Sequence, residues 1–255
     1  MSYFVTGTDT GVGKTLVCCA LLHIFAAQGQ RVVGMKPVSA GCDDDERNED
    51  VKKLRAASNI LATYGQINPY SFIHPVAPHI AARNAGVRID FSRILTSYHE
   101  LSSKADVVIV EGIGGFKVPL NERQDSAELA QQLGLPVILV VGMRLGCLNH
   151  ALLTASVIEA CGLKLAGWAA SVLDADMHHE GTPICYGLKP VQNRMPALRD
   201  NISALEQRLT APLLGVVEYQ AQLDAHVAAA QLNIELLNKN EPDEAQSVLA
   251  PPDTT

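Results

Sequence analysis

Apolar runs of strand length alternate with helix-like segments along most of this chain. The predicted strands are apolar throughout and occupy residues 3–5, 31–36, 106–111, 136–141, 163–172 and 211–217. Helical patterns lie between them, at residues 16–22, about 50–61, about 91–103 and 150–161. Strands that are apolar on both faces are typical of a parallel sheet covered by helices on both sides. The pattern therefore predicts an α/β fold with a mostly parallel central sheet.

We predict one domain followed by a short tail. Neither an internal repeat nor a linker rich in proline or glycine divides residues 1–237. Residues 238–255 carry Pro242, Pro251 and Pro252 among polar residues, which predicts a frayed C-terminal tail. Apolar residues make up 47% and charged residues 18% of the 255 positions, a composition typical of globular proteins.

A glycine-rich turn joins the first predicted strand to the first predicted helix. Residues 5–15 read Val-Thr-Gly-Thr-Asp-Thr-Gly-Val-Gly-Lys-Thr. A turn of this kind directs backbone N–H groups at one spot, where the helix dipole also favours an anion. Lys14 adds a charge that reaches the β- and γ-phosphates, and the Thr15 hydroxyl is placed to ligate magnesium. The turn is a P-loop with one irregularity, because Thr8 stands where the first glycine belongs and Gly7 lies one residue too early.

Polar residues at other strand ends extend this site, because ligands of parallel α/β sheets collect at the carboxyl ends of the strands. Glu111 closes an apolar strand, either as the acidic residue that holds magnesium in P-loop enzymes or as a surface carboxylate. Lys36 is either a second cation that faces the phosphates or a surface lysine. For Asp50 the pattern alone favours an N-cap or a first-turn charge.

Charge and cysteine usage exclude other classes of protein. The 20 lysine and arginine residues against 27 aspartate and glutamate residues give a net charge of −7, which does not support binding to nucleic acid or to an anionic membrane. No apolar run reaches membrane-spanning length, and the N-terminus lacks the layout of a signal peptide. The six cysteines lack C-x-x-C spacing and are predicted to be reduced, buried hydrophobes of a cytoplasmic protein. His178, His179 and Cys185 match no standard metal-site spacing.

Several spaced blocks resemble the dethiobiotin synthetase family, over most of residues 3–217. The blocks that carry the resemblance occur in the family's order: Gly7-Thr8-Asp9-Thr10 with Gly13-Lys14-Thr15, Lys36-Pro37-Val38, Asn48-Glu49-Asp50, Pro78-His79-Ile80-Ala81-Ala82, Glu111-Gly112 with Gly114-Gly115, and Leu145-Gly146-Cys147-Leu148-Asn149-His150. Residues 166–168 and 211–215 extend it. Six blocks in one order are far more specific than a P-loop alone.

The resemblance implies a homodimeric, ATP- and Mg²⁺-dependent enzyme that joins 7,8-diaminononanoate and CO2 into a cyclic urea. In such enzymes a substrate amine captures CO2 as a carbamate, whose oxygen attacks the γ-phosphate. The resulting carbamic–phosphoric anhydride lets the second amine close the ring with phosphate as the leaving group. The active site lies at the subunit interface in this family.

The resemblance also implies roles for individual residues. The residues implied to act on the carbamate and the transferring phosphoryl group are Thr10, Lys14 and Lys36. The residues implied to bind the nucleotide are Thr10, Gly11, Val12, Gly13, Lys14, Thr15 and Ser171. The magnesium ligands are implied to be Thr15, Asp50 and Glu111. The residues implied to bind the diamine are Lys36 and Ser39, together with the segment Gly146, Cys147, Leu148 and Asn149 of the partner subunit.

The chain departs from the family pattern near the ligands. Ser39 lies one residue earlier than the family's hydroxyl, and such a shift in an extended segment turns the side chain to the opposite face. Either a local backbone adjustment recovers Ser39, or this contact with the diamine is absent. Ser171 stands where the family has an asparagine that reads adenine, and Glu218 where it has a proline near the base. Because serine lacks the paired donor and acceptor of an amide, we expect looser base selectivity. Ile113 in the glycine turn is a milder departure.

Two other functions compete with this interpretation. One is a P-loop switch like ParA and MinD, whose output is ATP-dependent dimerisation and partner binding. Those proteins carry a signature lysine five residues before the P-loop lysine, and that position is Asp9 here, which argues against the switch. The other is a catalytically idle relative that acts as a binding protein, for which Ser39 and Ser171 are the only support.

Overall fold

The computed structural model describes residues 1–42, 47–173 and 195–237. Its strands are β1 (Ser2–Gly7), β2 (Val32–Met35), β3 (Val38–Ala40), β4 (Tyr70–Phe72), β5 (Val107–Glu111), β6 (Val137–Met143), β7 (Leu165–Val172) and β8 (Leu213–Val217). Its α-helices are α1 (Lys14–Ala27), α2 (Glu49–Ala57), α3 (Tyr64–Ile67), α4 (Pro78–Asn84), α5 (Phe91–Ser102), α6 (Ser126–Leu133), α7 (Cys147–Ala160), α8 (Met195–Glu206) and α9 (Ala225–Ala229). A 3-10 helix follows at Ile234–Leu237.

Six strands form the central sheet in the order β2-β5-β1-β6-β7-β8, and each neighbouring pair is parallel. The α/β fold with a parallel sheet is therefore confirmed. β1 lies in the middle, between β5 and β6, so the P-loop that follows it leaves the sheet at its centre. On one side of β1 lie β5 and β2, and on the other side lie β6, β7 and β8. The connections from β1 therefore run in opposite directions across the sheet, and α/β folds place their ligands at such a position.

Two apolar clusters cover the two faces of this sheet. Phe4 of β1 belongs to one cluster, while its neighbours Tyr3 and Val5 belong to the other, as alternation along a strand requires. Leu21 and Leu22 of α1 are fully buried in the second cluster. Burial on both faces explains why the strands carry continuous apolar runs rather than alternating ones.

Several short elements were not predicted from the sequence. β3 and β4 pair in parallel as a separate two-stranded sheet. α6 was also missed, although Asp125 accepts hydrogen bonds from the first turn and Glu128 completes a capping box. The predicted helix at about 50–61 ends earlier, at Ala57. The predicted tail, residues 238–255, and the histidine pair at 178–179 with Cys185 lie outside the described residues.

Within the described ranges, no helix combines the length and the apolar character needed to cross a membrane.

Candidate active site

A cavity of about 1160 Å³ lies at the carboxyl ends of the central strands. The P-loop forms one wall, and residues from the ends of β2, β5, β7 and β8 contribute the others. Predicted site residues that line the cavity are Thr10, Gly11, Gly13, Lys14, Thr15, Lys36, Asp50, Glu111 and Ser171. The structure therefore gathers residues from five separate chain segments into one concave site. Val12 is fully buried beneath the loop and does not line the cavity.

The first helix starts directly from the P-loop without a side-chain cap. Gly13 adopts a left-handed conformation with φ 87°, which glycine tolerates best, and α1 begins at the next residue, Lys14. A Cβ at Gly13 would also lie 2.8 Å from the Ser171 hydroxyl, so the close packing there excludes a side chain. Because no side chain caps these first N–H groups, they are available to an anion at the positive end of the helix.

The irregular P-loop position has a structural role. The Thr8 hydroxyl accepts a hydrogen bond from the Gly142 N–H at 3.2 Å, and the Thr8 N–H donates to the Val140 carbonyl at 3.0 Å. Glycine could make only the second of these contacts. Thr8 thus anchors the loop to the end of β6, the strand beside β1.

Lys36 is the centre of a buried charged cluster. Its Nζ donates to Glu111 Oε1 at 2.5 Å and to Asp50 Oδ2 at 2.8 Å, and its side chain is only 6% exposed. The Thr15 hydroxyl donates to the same Glu111 oxygen at 2.9 Å. Lys36 is therefore not a surface lysine, and Glu111 is not a surface carboxylate. The cluster joins the P-loop helix, two strand ends and α2.

The cluster fixes the charges of its members. Burial alone lowers the pKa of Lys36, but the carboxylates of Glu111 and Asp50 outweigh it and hold that pKa above its usual value. Burial alone raises the pKa of Asp50, but the Lys36 ammonium more than offsets this, and the pKa of Asp50 falls. Burial lowers the pKa of Lys14, against the opposing attraction of Glu111. Lys36 is therefore held as a cation between the two carboxylates.

The cap of α2 shows why Asp50 reaches this cluster. Asn48, not Asp50, caps the helix: its side chain accepts from the Asp50 N–H at 3.1 Å and donates to the Gly41 carbonyl at 2.8 Å. The Asp50 carboxylate is then free to pair with Lys36. The N-cap interpretation that the pattern alone favoured for Asp50 is therefore wrong, while a first-turn position is correct.

Ser39 lies away from the cavity. Its hydroxyl is fully buried and donates to Asn68 Oδ1 at 2.9 Å, while Asn68 Nδ2 donates to the Lys36 carbonyl at 2.6 Å. The next residue, Ala40, lines the cavity instead. Of the two alternatives left open by the one-residue shift, this placement favours the absence of the contact. A contact between Ser39 and the diamine has no support in this arrangement.

Replacing Ser39 by alanine should therefore lower the stability of the fold and leave substrate binding unchanged. We expect a loss of about 1 kcal/mol in the free energy of unfolding, the usual net value of one hydrogen bond. The KM for the diamine should change by less than about twofold. Such a change corresponds to about 0.4 kcal/mol of binding free energy, which is less than the loss of one hydrogen bond. Urea unfolding and steady-state kinetics measure the two quantities. A tenfold rise in the diamine KM without a change in stability would show that Ser39 touches the substrate.

The predicted segment Gly146–Asn149 does not line the cavity of its own chain. It forms the start of α7, where Gly146 has φ 93° and Cys147 is buried. The preceding Leu145 is 92% exposed, and Leu153 on the same helix is 59% exposed. A role for this segment in binding the diamine stays a prediction, and it requires a second copy of the chain.

The far end of the cavity contains residues that the sequence did not single out. The rings of His23 in α1 and His226 in α9 are stacked, with centroids 3.9 Å apart. Tyr219, Gln220 and Leu223 line the cavity beside them. His23 lies on the same face of α1 as Leu16 and Cys19, which also line the cavity. This helical spacing is the feature of the sequence that could have indicated His23 as a site residue. Its partner is about 200 positions away in the chain.

A parallel sheet with a P-loop at its centre and acidic and basic side chains beside it defines a P-loop nucleotide-binding protein. The family described as AAA domain matches residues 1–227. The ATP-dependent dethiobiotin synthetase BioD of Nitrosospira multiformis is 53% identical over 232 residues, which cover 91% of this chain and 94% of that protein. The protein of the same name from Aromatoleum aromaticum is 48% identical over 236 residues, covering 91% and 97%. The chain belongs to the ATP-dependent dethiobiotin synthetase family, as its motifs indicated.

Solved structures share the fold at low sequence identity. The MinD cell division protein of Aquifex aeolicus has a TM-score of 0.52 and 13% identity, covering 92% of this chain and 88% of that one. A ParA family ATPase of Chlorobium tepidum has a TM-score of 0.50 and 12% identity, covering 94% and 93%. At these identities the likeness concerns the fold alone.

Proposed function

We propose that this protein carboxylates 7,8-diaminononanoate and closes the cyclic urea of dethiobiotin, with ATP converted to ADP and phosphate. The observation that carries the proposal is the buried Lys36, held between Glu111 and Asp50 beside the P-loop. A fixed cation next to a phosphate site suits a reaction in which one anion must approach another. The family to which the chain belongs supplies the identity of the reaction.

The chemistry proceeds in three steps. A substrate amine adds to CO2 and loses a proton, which gives a carbamate. A carbamate oxygen then attacks the γ-phosphorus, the bond to the bridging oxygen of ADP breaks, and a carbamic–phosphoric anhydride forms. The second amine attacks the carbonyl carbon and loses a proton to solvent, the bond to the phosphate oxygen breaks, phosphate leaves, and the ring is closed. Phosphate is a far better leaving group than the carbamate oxygen alone.

Three side chains serve the phosphoryl transfer in this proposal. Lys14 and Lys36 offset the repulsion between the carbamate and the triphosphate, and Thr10 faces the reacting groups from the rim of the P-loop. The Lys14 ammonium donates to the Asp9 carbonyl at 2.8 Å. This hydrogen bond holds the Lys14 side chain against the P-loop.

Magnesium fits the oxygens of the cluster. Thr15, Asp50 and Glu111 supply a hydroxyl and two carboxylates, the hard ligands that Mg²⁺ prefers. Glu111 Oε2 is buried and has no hydrogen-bond partner among the described residues, which is the state expected of an oxygen reserved for a ligand. When bound, the ion would neutralise charge on the phosphates.

The nucleotide base is expected between Ser171 and the loop after β8, both of which line the cavity. Ser171 lies against Gly13, so its short side chain ends close to the P-loop. We expect Ser171→Asn to sharpen the preference for ATP over CTP and GTP by about tenfold, as one amide hydrogen-bond pair to a base contributes roughly 1–3 kcal/mol. Competition binding of the three nucleotides measures it. If the preference for ATP over CTP and GTP is the same in the parent and in the variant, Ser171 has no role in base recognition.

Two copies of the chain would complete each active site. The exposed Leu145 and the start of α7 lie outside the cavity of their own chain, so in a homodimer they would reach the diamine bound to the partner. We place the enzyme in the cytoplasm, where the reduced cysteines among the described residues, such as Cys18 and Cys19, are stable.

Incorporation of label tests the proposed reaction. With ¹³C-bicarbonate, Mg-ATP and the diamine, the product should gain one labelled carbon for each phosphate released. Phosphate release without labelled product would instead favour the ATPase switch, and neither product nor phosphate would favour the idle relative.

A further inference from the structure

Asp9 places a carboxylate in a loop whose purpose is to hold phosphates. It lines the cavity, and its side chain is about half exposed. A negative charge at this position repels a triphosphate unless a cation neutralises it. The reaction proposed above assigns no role to Asp9.

The contacts of Asp9 reach both sides of the loop. Its Oδ1 accepts from the Thr10 N–H at 2.7 Å, and its carbonyl accepts from Lys14 Nζ at 2.8 Å. Its Oδ2 accepts from the Arg144 guanidinium in an ion pair. The hydrogen bond from the Thr10 N–H lowers the pKa of Asp9, and Arg144 acts in the same direction. Asp9 thus holds the two neighbours that face the transferring phosphate.

Arg144 links this loop to the start of α7. It follows β6, and its carbonyl accepts from the Cys147 N–H at 2.9 Å in the turn that opens the helix. The segment Gly146–Asn149, which in the proposed dimer reaches the partner's diamine, begins two residues later. In the proposed dimer the ion pair would therefore join the nucleotide loop of one active site to the diamine segment of the other.

We propose that Asp9 and Arg144 are positioning residues: Arg144 neutralises the Asp9 carboxylate beside the phosphates, and the pair ties the P-loop to the diamine-binding segment. The part that concerns the diamine rests on the proposed function. The part that concerns the nucleotide needs only that the P-loop binds ATP.

Two single substitutions and their combination have distinct expected effects. Arg144→Gln leaves a bare carboxylate beside the triphosphate, so ATP affinity should fall about five- to tenfold. Asp9→Asn removes the charge but keeps an oxygen for the Thr10 N–H, so ATP affinity should stay at or above that of the parent. The double variant should regain the parent's ATP affinity. All three should raise the diamine KM about threefold or more, because the tie to α7 is lost.

The experiment titrates a fluorescent ATP analogue with Mg²⁺ and no diamine, and then measures the diamine KM from phosphate release. Arg31→Gln is the matched control, because Arg31 and Asp106 form an ion pair of comparable exposure at the opposite edge of the sheet. It should alter neither quantity. Thermal unfolding verifies that each variant is folded. Arg144→Lys keeps the charge and should retain the parent's ATP affinity even if Arg144→Gln fails to fold.

The outcomes separate the inference from the proposed function. Recovery of ATP affinity in the double variant, with a raised diamine KM in all three, supports it. Parent-like values in every variant, no recovery in the double variant, or a loss in Arg144→Lys equal to that in Arg144→Gln would overturn it. Absence of diamine-dependent release in the parent would reject the proposed function, while the ATP titrations still decide the role of the pair at the P-loop.

Discussion

Replacing Lys14 by alanine is expected to abolish ATP turnover. Lys14 is a buried cation at the start of α1, and it lines the cavity beside Thr10 and Thr15. Removing one preorganised group that stabilises developing charge typically costs about 10²–10³ in rate, and here the charge is on the transferred phosphoryl group itself. Phosphate release under saturating ATP and diamine measures the loss.

The fold should survive this change. Within residues 1–42, 47–173 and 195–237 the Lys14 ammonium donates to the Asp9 carbonyl alone, and burial already works against its charge. Alanine therefore leaves no carboxylate of these ranges without a hydrogen-bond partner there. Lys104→Ala, which removes an exposed lysine, is the control and should keep full activity. Unchanged activity in Lys14→Ala would rule out the proposed mechanism.

Replacing Lys36 by methionine is expected to impair both catalysis and folding. The change leaves Asp50 and the buried Glu111 without their shared cation, and an unpaired buried charge costs about 3–5 kcal/mol of stability. Turnover should fall by about 10²-fold or more, since the fixed cation next to the reacting anions is gone. Urea unfolding and phosphate release give the two numbers.

Magnesium separates the two effects of Lys36→Met. If Asp50 and Glu111 bind Mg²⁺, the ion should recover part of the lost stability, so the variant should gain more from added Mg²⁺ than the parent does. Turnover should remain low even when Mg²⁺ restores the fold. Lys52→Met, which removes a surface partner of Glu49, is the control and should change neither. Equal stabilisation of parent and variant by Mg²⁺ would argue against metal binding at this pair.

The fold and the phosphate end of the site could be predicted because they depend on local pattern. The apolar run of β1 followed by the glycine-rich turn places Lys14 and Thr15 at one helix start. The rule that parallel strands end at one edge brings Lys36 and Glu111 to the same place. The pattern did not decide whether Lys36 is a surface lysine or a site residue. The tertiary structure decides this, because it buries Lys36 between Glu111 and Asp50.

The remainder depends on contacts between distant segments, which no local pattern encodes. β3 and β4 are three residues each, too short to leave a periodic signal, and their pairing buries Ser39. The stack of His23 on His226 joins α1 to α9. The pair of Asp9 and Arg144 likewise joins residues that are 135 positions apart in the chain. In the proposed function these contacts lie near the nucleotide base and the diamine, where the chain also departs from its family.

The measurement that tests the central claim most directly is phosphate release from Mg-ATP and bicarbonate, with and without 7,8-diaminononanoate. The proposed function predicts that release requires the diamine. Repeating the assay with CTP and GTP shows whether Ser171, set against the P-loop at Gly13, leaves base selection loose. Release that proceeds equally well without the diamine, or no release under any condition, would contradict the proposed carboxylase.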